Sequence, residues 1–339
     1  MIKRVSLKDI ANTAQVSTSL VSYVINNKWK ENRIPEDTAK RILKIAKELN
    51  YEPNIIAQSL KTKKTKTIGV ILADISNSFF SFLAREIEDL AYSRGYTAIF
   101  CSSDENLEKF TNIVDFLMTR QVDGFIIAAP EGSESILKNI LQKVPVVLVD
   151  RYFPKIGAHT VKIDNFQASF IATDYLVKKG HQKIAAIVYD SKFQHFNDRL
   201  NGYLASLMEN NIEPDNDLVK KVDTKSLKRD MKKIIQRLVL ENKVTALYFH
   251  TNTLAEEGLR QIQSLDKALI KNLDIAAFDR NPFYDLFENR IQYLNQPIHE
   301  IGKKSVILLT DIIEGKTQKS PQHICLEATL ALKETVPSK

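Results

Sequence analysis

From Thr67 onward the sequence alternates short apolar runs, rich in β-branched residues, with longer stretches at helical spacing. The runs are TIGVIL, TAIFCSS, VDGFIIAAP, VPVVLVD, KIAAIVYD, VTALYFHT and DIAAFD. Between them lie stretches such as FLAREIEDLAYSRG and FQASFIATDYLVKKG. Strands that are apolar throughout bury both faces, which calls for a parallel sheet covered by helices on each side. So many units exceed one comfortable sheet, and two similar lobes are expected. The chain of 339 residues is long enough for two or three folding units.

Open parallel sheets bind ligands beyond the carboxyl ends of their strands. The residues there are Asp74 and Asn77-Ser78-Phe79-Phe80, Asp150-Arg151, Asp164-Asn165, Thr251-Asn252-Thr253, Asp279-Arg280 and Gln296, with Arg199 in DRLNGY. Planar polar groups pair with vicinal hydroxyls, and an aromatic face covers the C–H side of a sugar ring. Asp, Asn and Arg beside Phe79 and Phe80 supply both. Each also has a plainer use: strand-end Asp residues cap the following helix, and Phe79 and Phe80 suit a core as well as a stacking surface.

The charge is unevenly placed. Residues 1–66 hold 14 Lys and Arg against 6 Asp and Glu, a net +8, while the remaining 273 hold 34 against 35, a net −1. A basic head on a neutral body points to a polyanion partner for the head, or to a solubilising tail. Pattern favours the first. Ser6 to Asp9 reads as a capping box, followed by Leu7, Ile10, Ala11 and Ala14 at helical spacing. Ser17 suits a second N-cap. Leu20, Val21, Val24 and Ile25 form an inner stripe, leaving Thr18, Ser19, Ser22, Tyr23 and Asn26 outward. Pro35 opens a third helix, with Ala39, Ile42, Ile45, Ala46 and Leu49 as its apolar face. Two short helices across a tight turn, with a third behind, match a helix-turn-helix module. The outward groups are hydroxyls, an amide and a phenol, which reach base edges and phosphates in a major groove. Pro53 opens a short helix at 54–60, too short to stand alone in water, followed by KTKKTK. Leu60 there suits a minor-groove wedge, or the segment is an ordinary linker. Lys63, Lys64 and Lys66 read as phosphate contacts.

LKDIANTAQVSTSLVSYVIN, AKRILKIAKELNYEPNIIAQSL and KTIGVILADISNSFF, in this order and spacing, resemble the lactose/purine repressor (LacI-type) family of bacterial transcription regulators. The resemblance covers essentially the whole chain. It implies an all-α helix-turn-helix head (1–50), a hinge helix and linker (51–66), and a periplasmic-binding-protein-like α/β body (67–339) of two doubly wound parallel-sheet lobes. The lobes would run roughly 67–162 and 163–293, with late segments crossing back. By position, Thr18, Ser19 and Tyr23 fall where the family reads bases. Ser17, Ser22 and Asn26 fall where it steadies the backbone, Asn54 and Ala57 on the hinge face toward DNA, and Leu60 where the hinge leucine intercalates. For the effector, Asp74, Phe79, Phe80, Asp164, Arg199, Asn252 and Asp279 are the candidates, Arg199 and Asp279 the strongest. Tyr23 stands where the family often has Arg, so a different operator is implied. Gln15 stands where Gly is common, in a left-handed turn costing roughly 1 kcal/mol. The loop 27–33 looks longer than usual and offers Lys28, Lys30 and Arg33 to phosphates, or is a solvated loop. Arg280 replaces a second acid; it favours an anionic ligand or makes a salt bridge between lobes.

The expected function is a sequence-specific DNA-binding regulator, a repressor by family habit. It would be a homodimer on a near-palindromic operator, controlled by a small effector such as a sugar or sugar phosphate. A solute-binding protein of a transport system is the alternative, disfavoured by the basic head and by the lack of an apolar leader in MIKRVSLKDI. No phosphate-binding glycine loop, nucleophile elbow or histidine metal pair is present, so no enzyme and no cofactor are expected. Cys101 and Cys325 stand far apart without metal spacing, which suits a reducing, cytoplasmic compartment. No apolar run approaches the ~20 residues of a membrane span.

Overall fold

The computed structural model describes residues 5–51, 64–265, 273–287, 291–317 and 320–332. It divides into two compact units, 1–65 and 66–339. Asn54, Ala57 and Leu60 lie outside the described residues.

In the first unit, α1 (Leu7–Ala14), α2 (Thr18–Ile25) and α3 (Glu36–Glu48) surround a core of Ile10, Ala11, Ala14, Val21, Val24, Ala39, Ile42 and Ala46. Ser6 starts α1 by a reciprocal capping box: its hydroxyl accepts from the Asp9 amide, and the Asp9 carboxylate accepts from the Ser6 amide at 2.8 Å. Gln15 ends the helix in the left-handed region (φ 51°, ψ 47°). Ser17 caps α2 by accepting from the Leu20 amide at 3.2 Å. Pro35 is the N-cap of α3, one residue before the helix; its side chain makes no capping bond, and Glu36 and Asp37 place negative charge in the first turn. The loop 27–33 is not merely solvated. Trp29 is half-buried against the head core, and left-handed turns at Asn27 and Arg33 fold the chain around it.

The second unit contains two six-stranded sheets. Strands β1 to β5 are Thr67–Leu72, Thr97–Ser102, Gly124–Ile127, Val146–Val149 and His159–Ile163. Strands β6 to β10 are Ile184–Tyr189, Val219–Val222, Ala246–Phe249, Asp274–Phe278 and Ile291–Asn295. The last two, β11 (His323–Leu326) and β12 (Thr329–Ala331), return one to each sheet. The orders are β11-β5-β4-β3-β1-β2 and β12-β10-β9-β8-β6-β7. One topology is thus written twice, and each lobe is completed by a C-terminal strand.

All pairings are parallel except β12 against β10, an antiparallel edge that the reading of uniformly parallel lobes did not include. The chain changes lobe after β5, after β10 and between β11 and β12. The first change puts α7 (Asn165–Lys178) in the second lobe, packed on α8 (Gln194–Glu209). Gly202 permits that approach, because a Cβ there would lie 2.2 Å from the Phe166 carbonyl oxygen. The second change returns α11 (Ile298–Glu314) to the first lobe, against β3, β4, β5 and α4 (Ser78–Ser93). The remaining helices are α5 (Leu107–Thr119), α6 (Glu134–Leu141), α9 (Leu227–Gln236) and α10 (Asn252–Ile262). Among the described residues no helix is long and apolar enough to cross a membrane.

Candidate functional site

On α2, Val21 and Val24 are buried while Thr18, Ser19, Tyr23 and Asn26 are exposed, Tyr23 at 41%. Ser17 is exposed but its hydroxyl is engaged in capping. Ser22 is half-buried. The Asn26 side-chain amide donates to the Ser22 carbonyl at 2.7 Å and closes the helix end. The helix therefore presents hydroxyls and a phenol, with no acid and no salt bridge on that face among the described residues. Lys28, Lys30 and Arg33 are exposed on the adjoining loop, Lys30 lying 5.3 Å from the Trp29 ring centre.

In the body, Arg199 is the centre of the polar cluster between the lobes. It projects from α8 and is 3% exposed. Its Nε donates to Asn165 Oδ1 at 2.8 Å and one Nη donates to the His250 carbonyl at 2.7 Å. Its guanidinium lies 3.4 Å from the Phe278 ring centre. Burial pulls the guanidinium below its ordinary pKa, with Asp279 and Asp150 opposing. Asp150 ends β4 and Asp279 ends β9; each is 8% exposed and each is left-handed (φ 65° and 71°). That conformation turns the carboxylates off the sheet ends and is strained for a non-glycine residue. Burial raises both carboxyls above the ordinary range, Asp279 to about 6 even with Arg199 and a Gln296 hydrogen bond opposing. Gln296 Nε2 donates to Asp279 Oδ1 at 2.5 Å.

Arg151 supplies a second buried guanidinium, 5% exposed. It pairs through two nitrogens with the Glu105 carboxylate and donates to the Ala129 carbonyl at 3.1 Å. It reaches across the lobes to within 4.5 Å of the Phe193 ring centre, with Phe80 at 6.0 Å on its own side. His195 and His250 are buried, and burial drives both imidazoles well below their ordinary pKa, so they are neutral. His195 lies against Phe196 at 4.1 Å with the rings tilted by 46°. His250 lies against Tyr248, and neither of its ring nitrogens has a hydrogen-bond partner among the described residues.

The residues singled out by sequence separate here. Arg199 and Asp279 come together. Asn252 is 3% exposed, and its side chain forms a reciprocal amide pair with Asn77 across the lobes at 3.0 Å, with a further bond to Ser78. It latches the lobes. Asp164 does not join the cluster: it is exposed and caps α7 by accepting from the Gln167 amide at 2.9 Å. Its neighbour Asn165, 2% exposed, holds Arg199 instead. Asp74 closes its own loop by accepting from the Ser76 amide and hydroxyl. Phe79 and Phe80 are 4% and 6% exposed and pack edge-on at 5.0 Å within the core; of the two, only Phe80 faces Arg151. Arg280 is exposed and makes no ion pair among the described residues, so the salt bridge between lobes foreseen as one of its two roles is not seen. Among the described residues, Arg151 and Arg199 are the buried arginines. Sequence reasoning passed over Phe193, His195 and Phe196, although KFQHFNDR carries aromatic rings one and two turns ahead of Arg199 on its own helix. It also missed Glu105.

Lys66, foreseen as a phosphate contact, has a partner within the body. Its ammonium is bound to Glu314 at 3.1 Å within the second unit.

Known proteins share this sequence pattern and fold. The profile of bacterial regulatory proteins of the lacI family matches residues 6–54. That of periplasmic binding proteins and the sugar binding domain of the LacI family matches residues 65–268. The transcriptional regulator RegA of Clostridium saccharobutylicum is 31% identical over 97% of this chain and 98% of its own length. The transcriptional repressor PurR of Aliivibrio salmonicida is 29% identical over 92% of this chain and 93% of its own. Among solved structures, the lac repressor dimer bound to operator and the anti-inducer ONPF aligns with TM-score 0.81 at 21% identity, covering 98% of both chains. The Cra regulator of Pseudomonas putida in complex with fructose 1-phosphate aligns with TM-score 0.69 at 20% identity, covering 80% of this chain and 99% of its own.

Proposed function

This chain belongs to the LacI family of bacterial regulatory proteins, and from that premise we propose that Thr18, Ser19 and Tyr23 read base edges while Arg199, Asp279 and Asn165 hold the effector. The protein is a helix-turn-helix transcriptional regulator whose hold on DNA is set by a small molecule. Its relatives are regulators, not enzymes. It works as a homodimer on double-stranded DNA, and two-fold symmetry makes the operator two related half-sites. Residues 1–50 are the DNA-binding domain, 51–66 the hinge segment and 67–339 the effector and dimerisation domain.

The observation that carries the effector reading is a buried guanidinium and a buried carboxylate set in the same cleft beside aromatic faces. Arg199 and Asp279 offer fixed donors and an acceptor for vicinal hydroxyls, and Phe278 backs them. Arg151 adds a second cation beside Phe80 and Phe193. Glu105 occupies the Arg151 guanidinium here, and a ligand with an anionic group as well as hydroxyls, such as a sugar phosphate, would take the place of that carboxylate. Effector and DNA then act on one equilibrium between lobe arrangements, with a reciprocal coupling of about 1–3 kcal/mol.

Selection of duplexes from a random pool by the full chain tests the DNA reading. A thermal-shift panel of neutral sugars, sugar phosphates and nucleobases tests the ligand reading. The expected result is one enriched near-palindrome and a stabilisation by sugar phosphates that Arg199→Met removes. An enriched duplex with no response to any sugar phosphate refutes the anionic assignment, and no enriched duplex refutes the whole reading.

A further inference from the structure

Lys66 opens the second unit in an unusual state. Its backbone is left-handed, with φ 53°, which a lysine holds only where its surroundings impose it. The surroundings are specific. The Lys66 amide donates to Asp123 Oδ2 at 2.8 Å. Its carbonyl accepts from the Thr97 amide at 2.8 Å, one residue before the β1–β2 ladder begins. Its ammonium donates to Glu314 Oε1 at 3.1 Å and lies 4.2 Å from the Tyr96 ring centre. The other Glu314 oxygen is bound by Lys316 at 2.6 Å. Lys316 and Lys66 together hold the Glu314 carboxyl down at about 2, so it stays ionised at any physiological pH.

Glu314 is the last residue of α11. At 1.5 Å per residue this 17-residue helix is about 25 Å long. It is clamped along its length to α4. His299 meets Glu86 at 2.7 Å, Gly302 leaves no room for a Cβ against Glu86, and Asp311 pairs with Arg94. Its other end begins at Ile298, two residues after Gln296, the residue hydrogen-bonded to Asp279. One rigid helix therefore has the effector cluster at its start and the entry of the chain into the body at its end.

We infer that Lys66 is a positioning residue. With Glu314 and Tyr96 it fixes the path of the chain where the DNA-binding segment joins the body, and α11 carries the state of the cleft to that joint. The inference rests on the reading of the cleft as the effector site.

The alternative use of Lys66, as a phosphate contact, predicts the opposite response to one substitution. Glu314→Gln would release the ammonium and tighten binding to any DNA if Lys66 served phosphates. It weakens specific binding if Lys66 is the joint. The assay is equilibrium binding of the full chain to the duplex that the wild type enriches and to a scrambled duplex. Lys66→Met and Glu314→Gln should each weaken the enriched duplex about three- to tenfold, the range for a charged, partly exposed hydrogen bond. The double variant should be no weaker than either single one. Binding to the scrambled duplex and the melting temperature should hold, and Lys66→Arg should restore affinity. Gln296→Ala should alter operator affinity in the wild-type background and not in Glu314→Gln. Losses that multiply in the double variant, equal losses on both duplexes, or tighter binding by Glu314→Gln overturn the inference while leaving the regulatory reading intact. A wild type that enriches no duplex overturns both.

Discussion

Asp279→Asn should make the protein more stable at neutral pH and poorer at its task. The Asp279 carboxyl is 8% exposed, and burial raises its pKa from 3.8 to about 6. A folded-state value above the unfolded one means that the protonated form favours folding. That contribution is complete below about 3.8 and is lost as pH rises through 6. At pH 7.5 the ionised carboxylate thus costs the fold about 3 kcal/mol, at 1.36 kcal/mol for each tenfold change in proton affinity. Asparagine keeps the shape and keeps an oxygen for the Gln296 amide to donate to. It removes the charge and turns the second carboxylate oxygen into an amide donor. The Asn variant should therefore melt about 6–10 °C above wild type at pH 7.5, taking the slope for a domain of this size. The advantage should shrink through pH 6 and disappear near pH 4. Thermal unfolding of both proteins across that range is the measurement. A gain independent of pH, or no gain at pH 7.5, would show that the carboxylate is not desolvated as described. Loss of effector-induced stabilisation in the same variant would show what the strain serves.

Gln15→Gly should stabilise the head by about 1 kcal/mol, because φ 51° is unfavourable for glutamine and free for glycine; urea unfolding of the head signal reads it. Ser17→Ala should cost the head about 1 kcal/mol through the lost bond to the Leu20 amide, and it should weaken DNA binding as the recognition helix frays. Gly202→Ala should destabilise the body by about 1–3 kcal/mol, since its methyl would press on the Phe166 carbonyl and part α7 from α8; a drop in the body's melting temperature with an unchanged head checks it.

The head was legible because its signals are local. A capping box, a second hydroxyl cap and a 3.6-residue stripe each operate within four residues, and Ser6, Ser17, Val21 and Val24 behave as their spacing implies. The central strands were legible for a related reason, since a strand buried on both faces must be apolar throughout. The edges were not. β7 reads VKKV, with Lys221 exposed and only Val222 buried, so it carries no apolar run. β11 and β12 are half-exposed strands whose partners lie far away in sequence, β11 beside β5 and β12 beside β10. Nothing local marks such pairing. Trp29 was passed over because it stands in a polar loop, where only the tertiary fold shows that it anchors the head core.

The cleft shows why strand-end residues cannot be ranked by type alone. Asp74, Asp150, Asp164 and Asp279 all follow apolar strands. Two meet free amides at once: Asp74 closes on Ser76, and Asp164 caps α7. The other two sit in left-handed backbone, both followed by arginine, in LVDRYF and AFDRNP. That turn takes the carboxylate away from the next helix and leaves it buried without a backbone amide to satisfy it. A desolvated carboxylate persists only beside a cation. For Asp279 the cation comes from a distance in sequence, Arg199, while Asp150 has both its neighbour Arg151, at 3.6 Å, and Arg199. The repeated Asp-Arg pair at equivalent positions of the two lobes was therefore present in the sequence as a signal, but its two halves diverge. Arg151 turns inward to Glu105 and the aromatic rings, while Arg280 stays in solvent. The lobes share a topology, yet only in the first does the arginine that follows the aspartate turn into the cleft, and in the second the cation comes instead from α8.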